Sequence, residues 1–417
     1  MLKIKLLSTV YCLLLYHVLA RPTLLGNLLR LAIQRRAHAR RLARRKVLRP
    51  SSDTRLRGRD ATRVSVLVPA RDEERRVLLK CVRSILAQDY GNFEVVAVND
   101  RSTDATGDIL RALAAADERL RVVEGEEPPD GWLGKPFALQ QAFDASRGRW
   151  VLATDADMIY DPAALRTAVE NASARGCDAL TLVPHFEAVT FWERVFVPTW
   201  WWGALAFFSP DLVNHPKFPG AIGIGGFFLM RRAALERVGD FGAIRADVLD
   251  DMRLAEILKA SGARVVAEYA PALVSTRMYK NLGELWESSA KNLFAIMRFS
   301  LALTAAMLLW IFAVALLPVA LAAASALMLA LSPSAAYWRQ LFVPSFLTWV
   351  VFVALLALVN RRCRIPAAYA LAGPLGWVLS FVTLAGSAYG VLTGRGLTWK
   401  GRRFYERGGV RPPRAAR

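Results

Sequence analysis

The tripeptide Asp155-Ala156-Asp157 closes a short apolar run, Trp150 to Thr154, long enough for one buried strand. In extended chain, residues i and i+2 share a face, so a strand here would present two carboxylates side by side at its C-terminal end. Two such carboxylates repel unless a cation lies between them. Carboxylate oxygens, together with waters and substrate phosphates, are the ligands Mg²⁺ or Mn²⁺ prefers. An acidic turn before the helix opened by Asp161-Pro162 is the plainer alternative.

Other acids stand at comparable points. Val64 to Pro69 reads as a first strand, followed by Ala70-Arg71-Asp72-Glu73-Glu74, expected to cap a helix carrying Val77, Leu78, Val82, Ile85 and Leu86. Phe93 to Val98 reads as a second strand, ending in Asn99-Asp100-Arg101-Ser102-Thr103-Asp104. A helix over Gly107–Ala116 and a strand over Leu120–Val123 come next. This alternation predicts a mostly parallel α/β sheet with right-handed crossovers. Ligands bind such sheets outside the carboxyl ends of the strands. Asp72, Asp100 and the Asp155/Asp157 pair all fall there, at the ends of three strands.

Gly131-Trp132-Leu133-Gly134-Lys135-Pro136 precedes another helix. Lys135 near its start would face the same region, where free N–H groups and positive charge favour a phosphate; a solvated surface lysine is the alternative. Ile222 to Met230 (IGIGGFFLM) is expected to be a glycine-rich strand approached by a ligand. Asp250-Asp251 opens a helix running to about Ser261. Acids at that place also serve the helix dipole.

The chain has 417 residues, is 54% hydrophobic and carries a net charge of +20. Residues 1–33 and 301–393 are strongly apolar, whereas the middle can bury a core of its own. Cys12, Cys81, Cys177 and Cys363 show no metal or disulfide spacing, which fits a reducing compartment. Fourteen Lys/Arg against two acids lie between Arg21 and Arg63, and eight more lie in residues 394–417. These clusters flank apolar segments, the positive-inside pattern with attraction to anionic headgroups. No nucleic-acid module accompanies them, so no nucleic-acid partner is expected.

The expected organisation is an N-terminal hydrophobic anchor (1–33), a basic cytoplasmic linker (34–63), an α/β domain (64–299), transmembrane helices (300–393) and a basic tail (394–417). Leu6 to Ala20 lacks a clear cleavage site, so an uncleaved anchor is expected. Within the domain, 185–218 carries Phe186, Phe191, Trp192, Trp200, Trp201, Trp202, Phe207 and Phe208. It reads as an aromatic membrane-interface segment, too broken by Pro198 and Pro210 to span; a helical core is the alternative. Leu301 to Leu331, Leu341 to Val359 and Ala367 to Thr393 are long enough to span. Arg339 and Arg361 are read as loop residues, leaving almost no midspan charge for a transporter. With the basic linker inside, three further spans put the basic tail outside, so one segment must be re-entrant, interfacial or a double pass.

From Val64 to about Phe299 the chain resembles the family 2 glycosyltransferases of the GT-A fold. VPARDEE is similar to the family's opening P-A-x-N-E motif, with Asp72 where asparagine is common. VNDRSTDAT is similar to V-D-D-x-S-x-D, with Asn99 replacing the first acid. GWLGKPFAL matches G-K-x-x-A-L through Lys135, TDAD matches D-x-D, and LDDMRL sits where the family has Glu-Asp. Five motifs in order make the match specific. The Gln-x-x-Arg-Trp of processive members is absent, with Lys291-Asn292 in that neighbourhood. Phe191-Trp192-Glu193-Arg194, the trailing spans and Trp399-Lys400-Gly401-Arg402 resemble the branch acting on carotenoid and hopanoid-type lipids.

The resemblance implies a Rossmann-like, mostly parallel GT-A domain at the cytoplasmic (inner) membrane, facing the cytoplasm. It implies inverting transfer of a single sugar from a nucleotide-sugar, UDP-linked, to a lipid acceptor hydroxyl. Asp251 would be the catalytic base. Asp72, Glu74, Asp100, Lys135, Asp155 and Asp250 would bind donor, and Asp157 would hold a divalent metal, Mg²⁺ or Mn²⁺. The alternatives are an acceptor in a cell-envelope polysaccharide, or a membrane scaffold that kept the fold and lost the chemistry.

Overall fold

The computed structural model describes residues 62–207, 210–215, 217–333, 336–399 and 402–406. The expected N-terminal anchor, almost all of the basic linker, and Lys400, Gly401 and residues 407–417 of the tail lie outside the described residues. The chain divides into two compact units. One holds Ala188–Phe207 and Asn281–Tyr389; the other holds the rest of the described chain.

The second unit is α/β. In chain order it runs β1 (Val64–Ala70), α1 (Leu78–Leu86), β2 (Phe93–Asn99), α2 (Thr106–Ala116), β3 (Leu120–Glu124), α3 (Gly134–Asp144) and β4 (Trp150–Ala153). It continues with β5 (Met158–Tyr160), α4 (Ala164–Ala174), β6 (Ala179–Val183) and β7 (His185–Phe186). After the helix α5 (Phe191–Phe207) of the other unit come α6 (Pro210–Val213), β8 (Phe228–Arg231), α7 (Arg232–Arg237), α8 (Asp250–Ala260), β9 (Val265–Tyr269) and β10 (Val274–Thr276). The main sheet is ordered β3-β2-β1-β4-β8-β6-β9, and β5-β10-β7 form a small second sheet. All pairings in the main sheet are parallel except the two made by β8. This is the mixed, mostly parallel α/β sheet of a GT-A-like fold.

The strands are buried on both faces, hence their nearly unbroken apolar runs. Val64, Val66 and Val68 of β1 face the core under α1, α2 and α4. Leu67, with Val96 and Val98 of β2, faces the opposite core under α3 and α8. The chain leaves β1 toward β2 and β3 on one side and returns to β4 on the other. That reversal leaves a crevice beyond the carboxyl ends of β1 and β4, where open α/β sheets bind ligands.

Several expected boundaries shift. Residues Ala70–Glu74 do not cap α1: its N-cap is Val77, with no side-chain cap bond. The glycine-rich strand shortens to Phe228–Arg231, because Ile222–Phe227 form a loop and a turn instead. The strand before Asp155 stops at Ala153, so residues 154–157 turn and the alternation argument for Asp155 and Asp157 does not apply.

In the helical unit, α5 runs 17 residues straight through Pro198. Val195 and Phe196 are fully buried, and Trp202 stacks on Phe352 at 4.9 Å and meets Trp377 edge-on at 6.3 Å. Packing thus overrides the local cost of the proline. This stretch of the aromatic segment is a helix that contributes to a core. After α9 (Leu282–Ile296), three apolar helical stretches, Leu301–Leu331, Ala336–Arg362 and Ala367–Leu392, are long enough to cross a membrane. Arg339 and Arg361 are not loop residues; they sit in the first and last turns of the middle stretch. A hairpin of Arg395–Trp399 and Arg402–Glu406 forms the described part of the tail.

Candidate active site

The loops after β1 and β2 are knitted together by their polar groups. Asp72 N–H donates to Ser102 Oγ (3.1 Å), and Thr103 N–H donates back to Asp72 Oδ1 (2.9 Å). Glu73 N–H donates to Thr106 Oγ1 (2.7 Å), Glu74 N–H to Asp104 Oδ2 (3.0 Å), and Ala105 N–H to Glu74 Oε2 (3.3 Å). The acids expected to cap α1 therefore clasp the neighbouring loop. Burial pulls the Asp104 carboxyl up, but hydrogen bonds from Thr106 and the Glu74 N–H hold it below its ordinary value. Asp72 and Arg101 carry φ of 50° and 52°, left-handed backbone that the clasp sustains.

Asp100 is buried between two guanidinium groups. Arg101 approaches its Oδ1 at 3.0 Å, while Arg71 donates to its backbone carbonyl (3.0 Å) and lies 3.8 Å from Oδ2. Asp72, Glu74 and Asp100 thus sit together at the β1 and β2 ends, as the sequence predicts.

The other half of the crevice centres on Lys135, in the first turn of α3. Leu133 N–H donates to Arg245 O (2.7 Å), and Trp132 packs edge-on against Phe137, which anchors this helix start. Lys135 Nζ lies 2.8 Å from Asp155 Oδ1 and 3.3 Å from Asp250 Oδ2. Burial opposes the ammonium charge, yet Asp155, Asp250 and Asp251 hold its pKa well above the ordinary value. Lys135, its side chain 37% exposed, is thus an ion-paired cation that contacts Asp155 and Asp250 and feels the charge of Asp251.

Asp251 opens α8 beside Asp250. Its Oδ2 accepts from Gly225 N–H at 2.6 Å and its Oδ1 from Met252 N–H at 2.7 Å. Burial and the neighbouring Asp250 raise its pKa from 3.8 to about 6, against the lowering influence of Lys135 and the Gly225 N–H. A carboxylate poised there is ionised at neutral pH and can still accept a proton. Beneath it lies a cavity of about 10 Å³, room for one water, lined by Lys135, Thr154, Gly225, Asp250, Asp251 and apolar side chains.

The glycine-rich loop is the component that strand reasoning misplaced. A Cβ added at Gly225 would lie 2.9 Å from Lys135 Nζ, 3.1 Å from Asp155 Oδ2 and 3.3 Å from Asp251 Oδ2. At Gly223 it would overlap the Asp251 carbonyl, 2.5 Å from the carbon. Gly225 leaves open the space on which Lys135, Asp155 and Asp251 converge, and Gly223 allows the close approach of the Asp251 backbone.

Asp155 and Asp157 do not stand side by side. Asp155 turns to Lys135, whereas Asp157 Oδ2 lies 3.7 Å from Arg76, which also approaches Glu73 at 3.6 Å. Among the described residues no three His, Cys, Asp or Glu side chains converge as a metal cage. The oxygen donors nevertheless suit a hard divalent cation held by one or two carboxylates and by the phosphates of a ligand. A guanidinium already accompanies Asp157, the charge complement such a cation would supply. Arg71, Arg76 and Arg101 join these acids without a motif of their own, and their closeness in sequence to Asp72, Glu73 and Asp100 is the one signal for them.

Residues 65–239 match the family described as Glycosyl transferase family 2. Curated relatives include glycosyltransferase AglD of Haloferax volcanii, 35% identical over 124 residues, covering 28% of this chain and 19% of that protein. An uncharacterised protein, y4gI, of Sinorhizobium fredii is 29% identical over 190 residues, covering 45% of this chain and 20% of its own. The chain therefore spans about a fifth of the length of these two relatives. Among solved structures, the mannosyltransferase PcManGT from Pyrobaculum calidifontis, in complex with GDP-Man and Mn²⁺, aligns over 79% of this chain and 87% of its own. That alignment has 20% identity and a TM-score of 0.48. The matched range contains the Asp72, Asp100, Lys135 and Asp155–Asp157 elements and stops 12 residues before Asp251 (251 − 239). Residues 65–239, which hold most of the sheet and crevice described above, are thus similar to the Glycosyl transferase family 2 model.

Proposed function

We propose that the chain transfers a single sugar, with inversion, from a UDP-linked sugar to the hydroxyl of a membrane lipid. The observation that carries this reading is Asp251, held by the Gly225 N–H beside Lys135 and Asp155 at the family 2 crevice. Asp251 takes the acceptor proton as its oxygen attacks the anomeric carbon and the bond to the diphosphate breaks. One displacement by one base inverts the anomeric centre. Lys135 faces the departing diphosphate, and the positive first turn of α3 adds to its charge. Asp250 keeps Lys135 in place. Asp72, Glu74 and Asp100 line the β1 and β2 ends, where the nucleoside lies and acceptor oxygens meet its N–H and hydroxyl groups. Asp155, beside Lys135, binds donor, and Asp157 would hold a divalent cation, which when bound would neutralise charge on the diphosphate.

The lipid acceptor is supported by three helices long and apolar enough to span, in the same chain as the catalytic domain. The basic residues of 34–63 favour a cytoplasmic face for that domain. Lys291-Asn292, where processive relatives carry another motif, supports one addition instead of polymerisation.

The test is incubation of membranes containing the protein with labelled UDP-sugars and lipid extract, with and without EDTA. Metal-dependent label in an organic-soluble product is expected. Label only in a water-soluble polymer would move the acceptor to a polysaccharide. Absence of both transfer and nucleotide binding would leave a scaffold.

A further inference from the structure

The turn Ile224–Phe227 reaches the crevice through Gly225, yet it is held from behind by buried hydroxyls. Thr181, fully buried on β6, donates from Oγ1 to Phe227 O (2.9 Å) and accepts from Ile224 N–H (3.0 Å). Phe227 N–H donates back to Ile224 O (3.0 Å), which closes the turn. On the other side, Tyr160 OH donates to Gly226 O (3.0 Å), and the Thr154 hydroxyl reaches both Tyr160 OH and Gly226 O. There is no slack for the turn to shift: a Cβ at Gly226 would lie 2.5 Å from Met158 Sδ.

Neither Thr181 nor Tyr160 lines the cavity under Asp251. Both nevertheless fix the turn whose Gly225 N–H meets Asp251 Oδ2 at 2.6 Å. Tyr160 and Thr154 also flank the Asp155–Asp157 turn in sequence, so one hydroxyl cluster ties the diphosphate half of the crevice to the base half. Burying a hydroxyl is costly without a hydrogen-bond partner, and Thr181 and Tyr160 each find one on a backbone group of this turn.

We propose that Thr181 and Tyr160 are positioning residues, which hold the Gly225 N–H on Asp251 and thereby aim that carboxylate. The proposal rests on the base role of Asp251 given above. Displacements of about 1 Å at a reacting group cost on the order of 10²-fold in rate. Thr181→Val and Tyr160→Phe should therefore lower kcat by about 10- to 100-fold. The KM for the UDP-sugar should stay within about threefold, because the donor-facing carboxylates are untouched. Thr181→Ser keeps the hydroxyl and should restore kcat.

A measurement independent of turnover reads the contact itself. Ile-Gly occurs only at 222–223 and 224–225. Carbonyl-¹³C isoleucine with ¹⁵N glycine therefore gives two amide signals in the full-length protein, and Gly225→Ala assigns one of them. The Gly225 proton should resonate downfield in the wild type and in Thr181→Ser, and move upfield in Thr181→Val and Tyr160→Phe. Tyr160→Phe retains its ring and carries the test if the valine variant does not fold. An unmoved Gly225 signal, or kcat and KM that both stay at wild-type values, would overturn the positioning role. If the wild type transfers no sugar while the Gly225 signal shifts as described, the hydroxyl brace stands and the transferase reading falls.

Discussion

Gly225→Ala separates chemistry from stability more cleanly than any carboxylate substitution. Gly225 has no left-handed φ, so alanine meets no backbone penalty there. Its new methyl would lie 2.9 Å from Lys135 Nζ, 3.1 Å from Asp155 Oδ2 and 3.3 Å from Asp251 Oδ2. All three neighbours are side-chain tips that can retreat by a few tenths of an ångström to an ångström. Their retreat lengthens the 2.8 Å Lys135–Asp155 contact and the 2.6 Å bond from residue 225 to Asp251. Since side chains absorb the strain, the stability cost should stay within about 1 kcal/mol, partly offset by the lower entropy of the unfolded alanine chain. The rate cost should be about 10²-fold, because the base and the phosphate-facing cation both leave their positions. Gly223→Ala is the contrasting control, since its methyl would overlap the backbone carbonyl of Asp251. The start of α8 must then move, at a cost of about 1–3 kcal/mol or more. The assay pairs thermal melting with transfer kinetics on both variants. Gly225→Ala with full kcat, or a melting temperature as depressed as that of Gly223→Ala, would refute the reasoning.

Four further outcomes are expected. Asp251→Asn should lose about 10²–10⁴ in kcat while still binding UDP-sugar by calorimetry. In the wild type, kcat/KM should fall below pH about 6 as Asp251 takes up a proton, and Lys135→Met should move that limb to higher pH because a lowering charge is gone. The raised Asp251 pKa also means that its contribution to stability, present below the unfolded value of 3.8, is lost as pH rises through about 6. Melting of Asp251→Asn should accordingly depend less on pH across that window. Asp157→Asn should weaken the response to added Mn²⁺, measured as the metal concentration for half-maximal transfer, with Asp72→Asn as an unaffected comparison.

The sequence made the sheet legible because its parallel strands are buried on both faces and end in turn-forming acids. Val64–Ala70 and Phe93–Asn99 are mostly apolar, interrupted inside at Ser65 and Glu94, and each is followed by acids at its carboxyl end. Lys135 and Asp250-Asp251 could be placed because helix starts are marked by composition. What the Ala70–Glu74 acids bind was not legible, since clasping a neighbouring loop is a tertiary contact with no local signature. The separate directions of Asp155 and Asp157 were not legible for a related reason. A four-residue strand ends one residue earlier than its apolar run, and that one residue decides whether two side chains share a face. Ile222–Phe227 reads as strand because its residues are apolar or glycine; the turn is made by tertiary contacts with Thr181, Tyr160, Asp251 and Met158, which leave no local signature. Pro198 looked like a breaker, and the buried neighbours Val195, Phe196 and Trp202 show why the helix persists.

The most direct test of the account compares wild type and Asp251→Asn in one experiment. Each is supplied with labelled UDP-sugar and membrane lipid, and the anomeric configuration of the product is determined by NMR. The account predicts a lipid-linked sugar of configuration opposite to the donor, formed by the wild type and nearly absent with the variant. A product of retained configuration, or equal transfer by the variant, would contradict it.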